Sequence, residues 1–589
     1  MKNINKYIAM LGMLFLISSC EEYLEVPPAS QITEEEVFTS YVTFQGFLDQ
    51  DYRYLVDNNK AKITCGIQLA GETIAVQGWN TSQAASTGNY WNLINGRSPF
   101  NDYGNGDGKT GWWTAGWEAI RIANHAIEKI DLFQGSEEDR ALLLGQAYFF
   151  RAIFHFEIMR AFGTIPYVDE ILVDNFELPR HWTDEETGKK DCQAVAEAIV
   201  RDFEMAASLL PDVWENYAKD AGRATKGAAL ALKARTLLYA GSPLFNEFSG
   251  NSATFDTEYM TRAAEAAAEV LKLADRGVYD LVDFADYQDM FARKDGTRPI
   301  TSESIFQKTD NSMGSGEVNV FLGRLFMPNN NLLGGNGITE AVTQNYVDLF
   351  EMADGTLYKD HFNTDASVAS PYDNDVANRW DNRDPRFRKA IYVDGDNCGY
   401  TDQTLMNLYV GGNMNNANTL SPYIVHKYWP IGVNKVDGDW DQFTYNTPNI
   451  RLADVYLIYA EALFEATGNQ DASSSNYGMT AAEAVDEVRT RAGMPTTANT
   501  TAYGGDFRKL VRNERHVELC FEGSYWYDLR RWKVKPDETL YRLDYDQAYS
   551  YATRTAIQPF IFTDRNWWLP FPRELTLTYE GFEQNPGWE

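Results

Sequence analysis

The feature that most constrains the fold is a succession of amphipathic segments, each too short to bury its apolar face alone. Residues 113–133 and 136–162 carry apolar side chains at steps of three and four, the period of a helix. Further helical segments, several of them rich in alanine, lie at 192–210, 225–240 and 259–273, and others follow residue 449. Stacking antiparallel helix pairs buries every such face. The sequence therefore predicts a mainly α protein, a tetratricopeptide-like helix-pair solenoid, although no period of 34 residues is visible.

Between the two helical regions the composition changes. Residues 290–448 are rich in Gly, Asn and Asp, with short possible strands at 304–308 and 424–428. We expect a large irregular insertion of loops and short strands. The predicted organisation is one domain over 36–589, with helices in 36–289 and 449–532, the insertion at 290–448 and a turn-rich segment at 533–589.

The first residues have the pattern of a secretion signal. Lys2 and Lys6 precede an apolar stretch from Tyr7 to Ile17, and small residues then lead to Cys20. The stretch is too short to span a bilayer. Residues 1–19 are predicted to be a lipoprotein signal peptide, Cys20 the acylated residue and 20–35 a tether. The acidic Glu21-Glu22 pair favours export to the outer face. The alternative for Cys20 is an ordinary signal peptide with an incidental cysteine. The alternative for Glu21-Glu22 is a solvated linker that happens to be acidic and carries no export signal.

Charge and composition exclude several classes of function. The chain has 84 acidic and 52 basic residues, a net charge of −32. Such a chain is repelled by nucleic acid, whose binding depends on Lys and Arg against phosphates. The five cysteines and six histidines are scattered, without CxxC or HExxH spacing. We expect no metal site, no cofactor, no catalytic constellation and no disulfide framework.

Several motifs in a fixed order resemble one family. The first is the Cys20-Glu21-Glu22 start. The helical strings are AYFFRAIFHFEIMRAFGTIPYV from Ala147, ALKARTLLYAGSPLFN from Ala231, IRLADVYLIYAEAL from Ile450, VRTRAGMP from Val488 and ERHVELCFEG from Glu514. The others are RDPRF from Arg383, WYDLRRW from Trp526 and QNPGW from Gln584. Together they are similar to the SusD/RagB family of nutrient-binding outer-membrane lipoproteins. Tyr525 departs from the family, which often has arginine or histidine there, so we expect a local change in packing.

The resemblance implies a function as well as a fold. Members of this family are lipid-anchored at the cell surface, bind an oligosaccharide or another nutrient, and pass it to a TonB-dependent, SusC-like outer-membrane transporter without chemistry. It therefore implies a glycan ligand, a transporter partner, and attachment to the outer membrane through the N-terminal lipid.

The charged residues of the ERHVELCFEG and WYDLRRW motifs have two interpretations. They are Glu514, Arg515, Glu518, Glu522, Asp528 and Arg530. Such a set could be catalytic. However, Glu514 and Glu518 are one helical turn apart and can pair with arginines of a neighbouring helix. Because buried charges are costly unless paired, we favour a structural ion-pair network.

Ligand binding is predicted in two irregular, aromatic segments, 74–112 and 311–337. Sugars need aromatic rings for stacking and amides for orientation. The candidate contacts are Trp79, Asn80, Tyr90, Trp91, Tyr103, Phe326 and Asn329. The alternative for Trp79 and Trp91 is that they are partly buried anchors. Trp112, Trp113 and Trp117 open a helix and are interpreted as core.

One stretch in the first segment suggests a cation. Asp102, Asn105 and Asp107 alternate with Tyr and Gly residues, as oxygen ligands of Ca²⁺ can. The acidic last position of an EF-hand is missing, and an ordinary Asn/Gly turn is favoured.

The sequence thus predicts a cell-surface lipoprotein that captures an oligo- or polysaccharide and is not an enzyme. Three alternatives stay open. A surface glycoside hydrolase would need two carboxylates at a set separation, and an acidic chain always offers such pairs. A helical-repeat adaptor would bind protein only. A capture protein could take peptides or glycoprotein glycans.

Overall fold

The structure is a computed structural model, and it describes most of the chain outside the N-terminus. The described residues are 33–55, 66–74, 81–95, 97–98, 100–102, 111–173, 177–216, 220–308, 341–361, 379–397, 405–415, 420–433 and 443–589. The signal peptide, Cys20 and most of the tether lie outside them, so those predictions stay predictions.

Ten helices form the main body. They are α1 (Tyr41–Tyr54), α2 (Trp112–Lys129), α3 (Glu137–Phe162), α4 (Asp191–Leu209), α5 (Lys226–Ala240), α6 (Thr257–Asp275), α7 (Leu452–Thr467), α8 (Ala481–Arg491), α9 (Phe507–Glu518) and α10 (Tyr525–Arg531). Shorter helices are Glu34–Val37, Thr81–Ser86, Trp91–Asn95, Pro243–Phe248, Gln344–Val347, Tyr358–His361, Pro385–Ala390 and Arg573–Thr578. The 3₁₀ segments are Gly66–Gln68, Ile130–Leu132, Phe284–Met290, Ala502–Gly505 and Asp564–Trp567.

The helices pack in chain order. Helix α2 lies against α3, α3 against α4, α4 against α5 and α5 against α6, while α1 covers α2 and α3. Helix α6 then packs on α7, which packs on α8 and α9. The predicted helix-pair array is confirmed. Alanine on the facing surfaces lets the axes approach closely, as in α5, where Ala228, Ala231 and Ala234 are fully buried.

Polar side chains fix where these helices begin. The Ser136 hydroxyl accepts the Asp139 N–H at 3.0 Å at the start of α3. Thr480 and Glu483 form the predicted capping box at the start of α8, each accepting the other's backbone N–H. Helix α3 ends at Gly163, whose φ of +85° suits a residue without a Cβ.

The region between α6 and α7 is the predicted irregular insertion. Its strands are short, and both predicted strands are present, as Ser304–Gln307 and Ile424–Val425. Strand Ser304–Gln307 pairs antiparallel with Pro448–Arg451, immediately before α7. This pairing closes the insertion and lets α7 continue the helical array against α6. The inserted chain builds a second hydrophobic cluster, which also includes Phe521 and Tyr545.

The remaining strands are also short, except for one hairpin. They are Thr73–Ile74, Arg97–Ser98, Asn101–Asp102, Ala292–Arg293, Ala341–Val342, Ile391–Tyr392, Thr444–Tyr445, Ser473–Ser474 and Tyr477–Thr480. The hairpin, Thr539–Tyr545 with Ala552–Pro559, lies in the segment predicted as turn-rich. The hairpin was not predicted. In its first strand the buried side chains are Leu540, Leu543 and Tyr545, which do not alternate strictly with exposed ones, so the usual sequence pattern of a strand is missing.

The charged motifs form a buried ion-pair network, as predicted. Glu518 pairs with Arg451 at 2.7 Å and with Arg386 at 3.0 Å, and it also pairs with Arg491. Burial alone would raise the pKa of Glu518, but Arg491, Arg451 and Arg386 hold it well below its usual value. A carboxylate held ionised by several fixed cations is a structural group and not a proton donor.

Further ion pairs of the network involve Glu514 and Asp528. Glu514 pairs with Arg489 at 2.9 Å, and Asp528 pairs with Arg515 at 3.0 Å and Arg531 at 2.7 Å. Arg530 differs from its neighbours. Its guanidinium donates to three backbone carbonyls, and it stacks 3.9 Å from the centre of the Trp526 ring.

Two features are absent from the described residues. None of the helices there has the length and apolar character needed to cross a bilayer. Over the same part of the chain, no three His, Cys, Asp or Glu side chains are grouped so that they could hold one metal ion.

Candidate functional site

The start of the first predicted ligand segment and the strand that follows the second are paired. Strand Thr73–Ile74 pairs antiparallel with Ala341–Val342, with Ile74 opposite Ala341. Residues 75–80 therefore begin where residues 309–340 end. Trp79, Asn80, Tyr103, Phe326 and Asn329 lie outside the described residues, and their contacts stay a prediction. The structure nevertheless pairs the strand at the start of the first segment with the strand that begins at Ala341, just after the second.

Buried hydrogen bonds hold this strand pair. The Thr343 N–H donates to the Glu72 carbonyl at 3.1 Å, and its hydroxyl donates to the Gly71 carbonyl at 2.6 Å. The Glu72 carboxylate accepts the Phe521 N–H at 3.1 Å, which ties the strands to the core beyond α9. Burial raises the pKa of Glu72 to about 8, against the opposing effect of the Phe521 hydrogen bond.

Tyr90 is a core residue. Its ring is fully buried, stacks on Trp588 at 6.0 Å between ring centres, and lies near Trp526. The Trp526 indole N–H donates to its hydroxyl at 3.4 Å. A ring with no exposed surface cannot stack on a sugar, so the structure corrects the prediction for Tyr90, and we remove it from the proposed contacts.

Trp91, the next residue, is half-buried and begins the short helix Trp91–Asn95. Its ring meets the Trp588 ring edge to face, 6.0 Å between centres. Asn89, Asn92 and Asn95 around it in the sequence are exposed. Trp91 therefore combines the two predicted roles, a partly buried anchor and an accessible ring. The amide groups lie nearby on the same short helix and the turn before it.

Two arginines cover these tryptophans. The guanidinium carbon of Arg573 lies 4.8 Å from the centre of the Trp91 ring, and that of Arg565 lies 4.5 Å from the Trp588 ring. Both distances are within the range of cation–π attraction. We call Trp91, Trp588, Arg565 and Arg573 the Trp91–Trp588 platform. Because the rings of Trp91 and Trp588 touch, the two guanidinium groups lie over adjacent rings.

Sequence reasoning missed the C-terminal half of this platform. Trp588 was noted only as part of the QNPGW motif, and Arg565 and Arg573 were not singled out. Nothing local could have found them, because the pairing joins positions almost five hundred residues apart. The only sequence signal for this contact was the QNPGW motif, because a tryptophan at its end indicates a packing partner elsewhere in the chain.

A cavity of about 290 Å³ lies on the flank of α2. Its aromatic lining comes from Trp113, Trp117, Tyr579 and Phe582. Trp112 is fully buried, as predicted. Trp113 and Trp117 are half-buried. They pack against the core beside Phe162 and His155 and also line this cavity, so their interpretation as core residues is confirmed only in part.

The predicted calcium stretch is only partly described. Asp102 lies in strand Asn101–Asp102, which pairs with Arg97–Ser98. Asn105 and Asp107 lie outside the described residues. The cation and the ordinary turn both stay predictions.

Comparison with known protein families gives two matches. The model of the SusD family matches residues 302–588. A second model, described as "starch-binding associating with outer membrane", matches residues 22–238. The two ranges cover most of the chain without overlap. A relative from Formosa agariphila, SusD-like protein P2, is 23% identical over 99% of both chains.

Solved structures agree on the fold. A SusD-like protein from Bacteroides fragilis superposes with a TM-score of 0.70 at 24% identity, over 95% of this chain and all of its own. A laminarin-binding SusD-like protein superposes with a TM-score of 0.59 at 19% identity, over 93% of this chain and all of its own. At these identities the likeness is one of architecture.

Proposed function

Because the chain belongs to the SusD/RagB family, we propose that it is a lipid-anchored protein of the cell surface that captures an oligo- or polysaccharide and delivers it to a TonB-dependent outer-membrane transporter. The observation that carries the proposal is the accessible ring of Trp91 beside exposed asparagine amides. The pairing of Thr73–Ile74 with Ala341–Val342 adds support, because it places the two strands that flank the aromatic segments next to each other. The laminarin-binding relative supports a glycan as the ligand.

The Trp91–Trp588 platform has the chemistry that glycan capture needs. An indole offers a flat apolar face to the C–H groups of a pyranose. The exposed amides of Asn89, Asn92 and Asn95 can orient hydroxyl groups. The charged motifs that could have suggested catalysis are occupied in the buried network, which favours capture over hydrolysis.

The direct test is affinity gel electrophoresis of the protein lacking residues 1–20, against a panel of neutral and acidic polysaccharides. We expect retardation by one class and no release of reducing sugar. Trp91→Ala should abolish or strongly reduce it, because stacking on an aromatic ring is a major part of sugar affinity. The matched control is Trp214→Ala, which removes a half-buried tryptophan whose indole donates to the Ala224 carbonyl.

Each result has a clear meaning. Release of sugar would convert the proposal into a surface glycoside hydrolase. Retardation by no polysaccharide would defeat glycan capture and favour peptide capture or a protein-only adaptor. Equal loss of retardation in Trp91→Ala and Trp214→Ala would mean that Trp91 has no special part in binding.

The anchor is tested separately. In the full-length chain, Cys20→Ala should prevent incorporation of labelled fatty acid and release the protein from the outer membrane. Incorporation that persists in Cys20→Ala would place the lipid elsewhere. Isolation of a stable complex with a TonB-dependent transporter from outer membranes tests delivery, and a transporter that transports the glycan equally well without this protein would contradict it.

A further inference from the structure

The arginines of the Trp91–Trp588 platform have unused hydrogen-bond donors. In the described residues, no side chain or carbonyl accepts from the guanidinium of Arg565 or Arg573. Both residues are exposed. A guanidinium carries five N–H donors in a planar fork that fits carboxylate and sulfate oxygens in pairs.

Two of the acidic residues near these arginines are engaged elsewhere, and Glu574, next to Arg573 in the sequence, forms no ion pair with it among the described residues. Asp564 pairs with Lys535 at 3.3 Å, and the Glu589 carboxylate accepts the Gly587 N–H at 3.1 Å. Here the rings of Trp91 and Trp588 hold the cations in place of carboxylates.

We infer that the Trp91–Trp588 platform recognises an acidic saccharide, one that carries carboxylate or sulfate groups. The inference rests on the proposed function and specifies the class of its ligand. The indole of Trp91 supplies apolar contact, and Arg565 and Arg573 supply the counter-charge. The overall negative charge of the protein repels an anionic polymer at long range, so binding requires these local donors.

The experiment uses two pairs of polymers in affinity gels. Polygalacturonic acid is compared with its methyl ester, and dextran sulfate with dextran, so that each pair differs in charge on the same backbone. We expect the charged member of at least one pair to retard the protein and its neutral partner to leave it unaffected. Polygalacturonic acid alone would assign a carboxylate ligand, and dextran sulfate alone a sulfate ligand.

Variants connect the binding to the two arginines. Arg573→Gln and Arg565→Gln should each weaken binding of the acidic polymer about tenfold, as expected for the loss of one charge-assisted hydrogen bond. Arg573→Lys keeps the charge but loses the fork, so its loss should be smaller. The control is Lys509→Gln, a cation that is 67% exposed on α9, which should change binding less than about twofold.

The outcomes separate this inference from the proposed function. Retardation by neutral polymers only, unchanged by Arg565→Gln and Arg573→Gln, would overturn the acidic ligand and leave glycan capture intact. Acidic binding that both variants leave unchanged would overturn the role of the platform. Retardation by no polymer, neutral or acidic, would overturn both.

Discussion

Arginine has two different environments in this protein. In the central network, Arg386, Arg451, Arg489 and Arg491 are almost fully buried, and each pairs with at least one carboxylate. On the Trp91–Trp588 platform, Arg565 and Arg573 are exposed and rest on indole rings without a carboxylate among the described residues. The first group joins α8 and α9 to the insertion. The platform arginines lie instead over the rings of Trp91 and Trp588.

The difference follows from the cost of desolvation. A buried guanidinium must replace its lost water with fixed partners, so most of its donors are used by the fold; the Nε of Arg491 is an exception. An exposed guanidinium keeps its water, and donors that the fold does not use stay available to a ligand. A dense cluster of charged residues in the sequence therefore indicates a structural network in the interior. Charged side chains that the fold leaves without partners are better candidates for ligand binding.

The largest effect is expected from breaking the network. Glu518→Ala removes the carboxylate that Arg386, Arg451 and Arg491 share, and the surrounding cations stay buried. We expect a loss of about 5 kcal/mol in the free energy of unfolding, measured by urea denaturation, because an uncompensated buried charge is expensive. The matched change is Glu258→Ala, whose carboxylate is 61% exposed beside Lys189 and should cost less than about 1 kcal/mol. Similar losses in both variants would contradict the contrast.

A second effect depends on pH. Burial raises the pKa of Glu72 to about 8, above its ordinary value of 4.5. A raised pKa means that the fold favours the protonated carboxyl, so the contribution of Glu72 to stability is complete below pH 4.5 and is lost as the pH rises to 8. Glu72→Gln keeps the acceptor for the Phe521 N–H and has no proton to lose.

The pH dependence should therefore distinguish the two proteins. Relative to Glu72→Gln, the natural protein should lose on the order of 4 kcal/mol of unfolding free energy between pH 5 and pH 9, at about 1.4 kcal/mol per pKa unit. Urea denaturation at several pH values measures the difference. Parallel stability profiles would mean that Glu72 titrates at its ordinary value, and that the strand pair is not held by a neutral carboxyl.

The helical array and the network were predictable because their signals are local. Periodicity of three and four, and caps such as Ser136 and Thr480, define a helix from its own residues. Glu514 and Glu518 lie one turn apart, so their common face was visible in the sequence. The hairpin Thr539–Tyr545 was missed because its burial does not alternate regularly.

The candidate site was less predictable, because neighbours in sequence have different environments there. Tyr90 is fully buried and Trp91 is half-buried, although both belong to one aromatic segment with the same composition. Their difference is set by Trp588 and Trp526, which come from the far end of the chain. Tertiary contacts of that separation leave no local pattern, and composition alone nominated both residues equally.

A third, smaller effect is expected at Arg530, which is buried but pairs with carbonyls instead of carboxylates. Its guanidinium donates to the carbonyls of Trp567, Arg160 and Ala161 at 2.7, 3.1 and 3.0 Å. Burial lowers its pKa to about 10, so the charge itself is disfavoured and the fork geometry stabilises it. Arg530→Lys should cost about 2 kcal/mol in thermal or urea unfolding, because an ammonium cannot reach three separate carbonyls or stack on Trp526. Unchanged stability would show that a point charge is sufficient there.

The smallest effect on stability should come from the platform. Arg573→Gln removes an exposed guanidinium that pairs with no carboxylate among the described residues. Surface substitutions of this kind usually change the free energy of unfolding by less than about 0.5 kcal/mol. Thermal unfolding of Arg573→Gln beside the natural protein measures it. A loss well above about 1 kcal/mol, the upper end for an exposed cation–π contact, would make Arg573 a structural residue like those of the network. A loss near zero, combined with weaker binding of acidic saccharides, would separate the two environments of arginine by experiment: in the interior the cation stabilises the fold, and on the platform it stabilises only the complex.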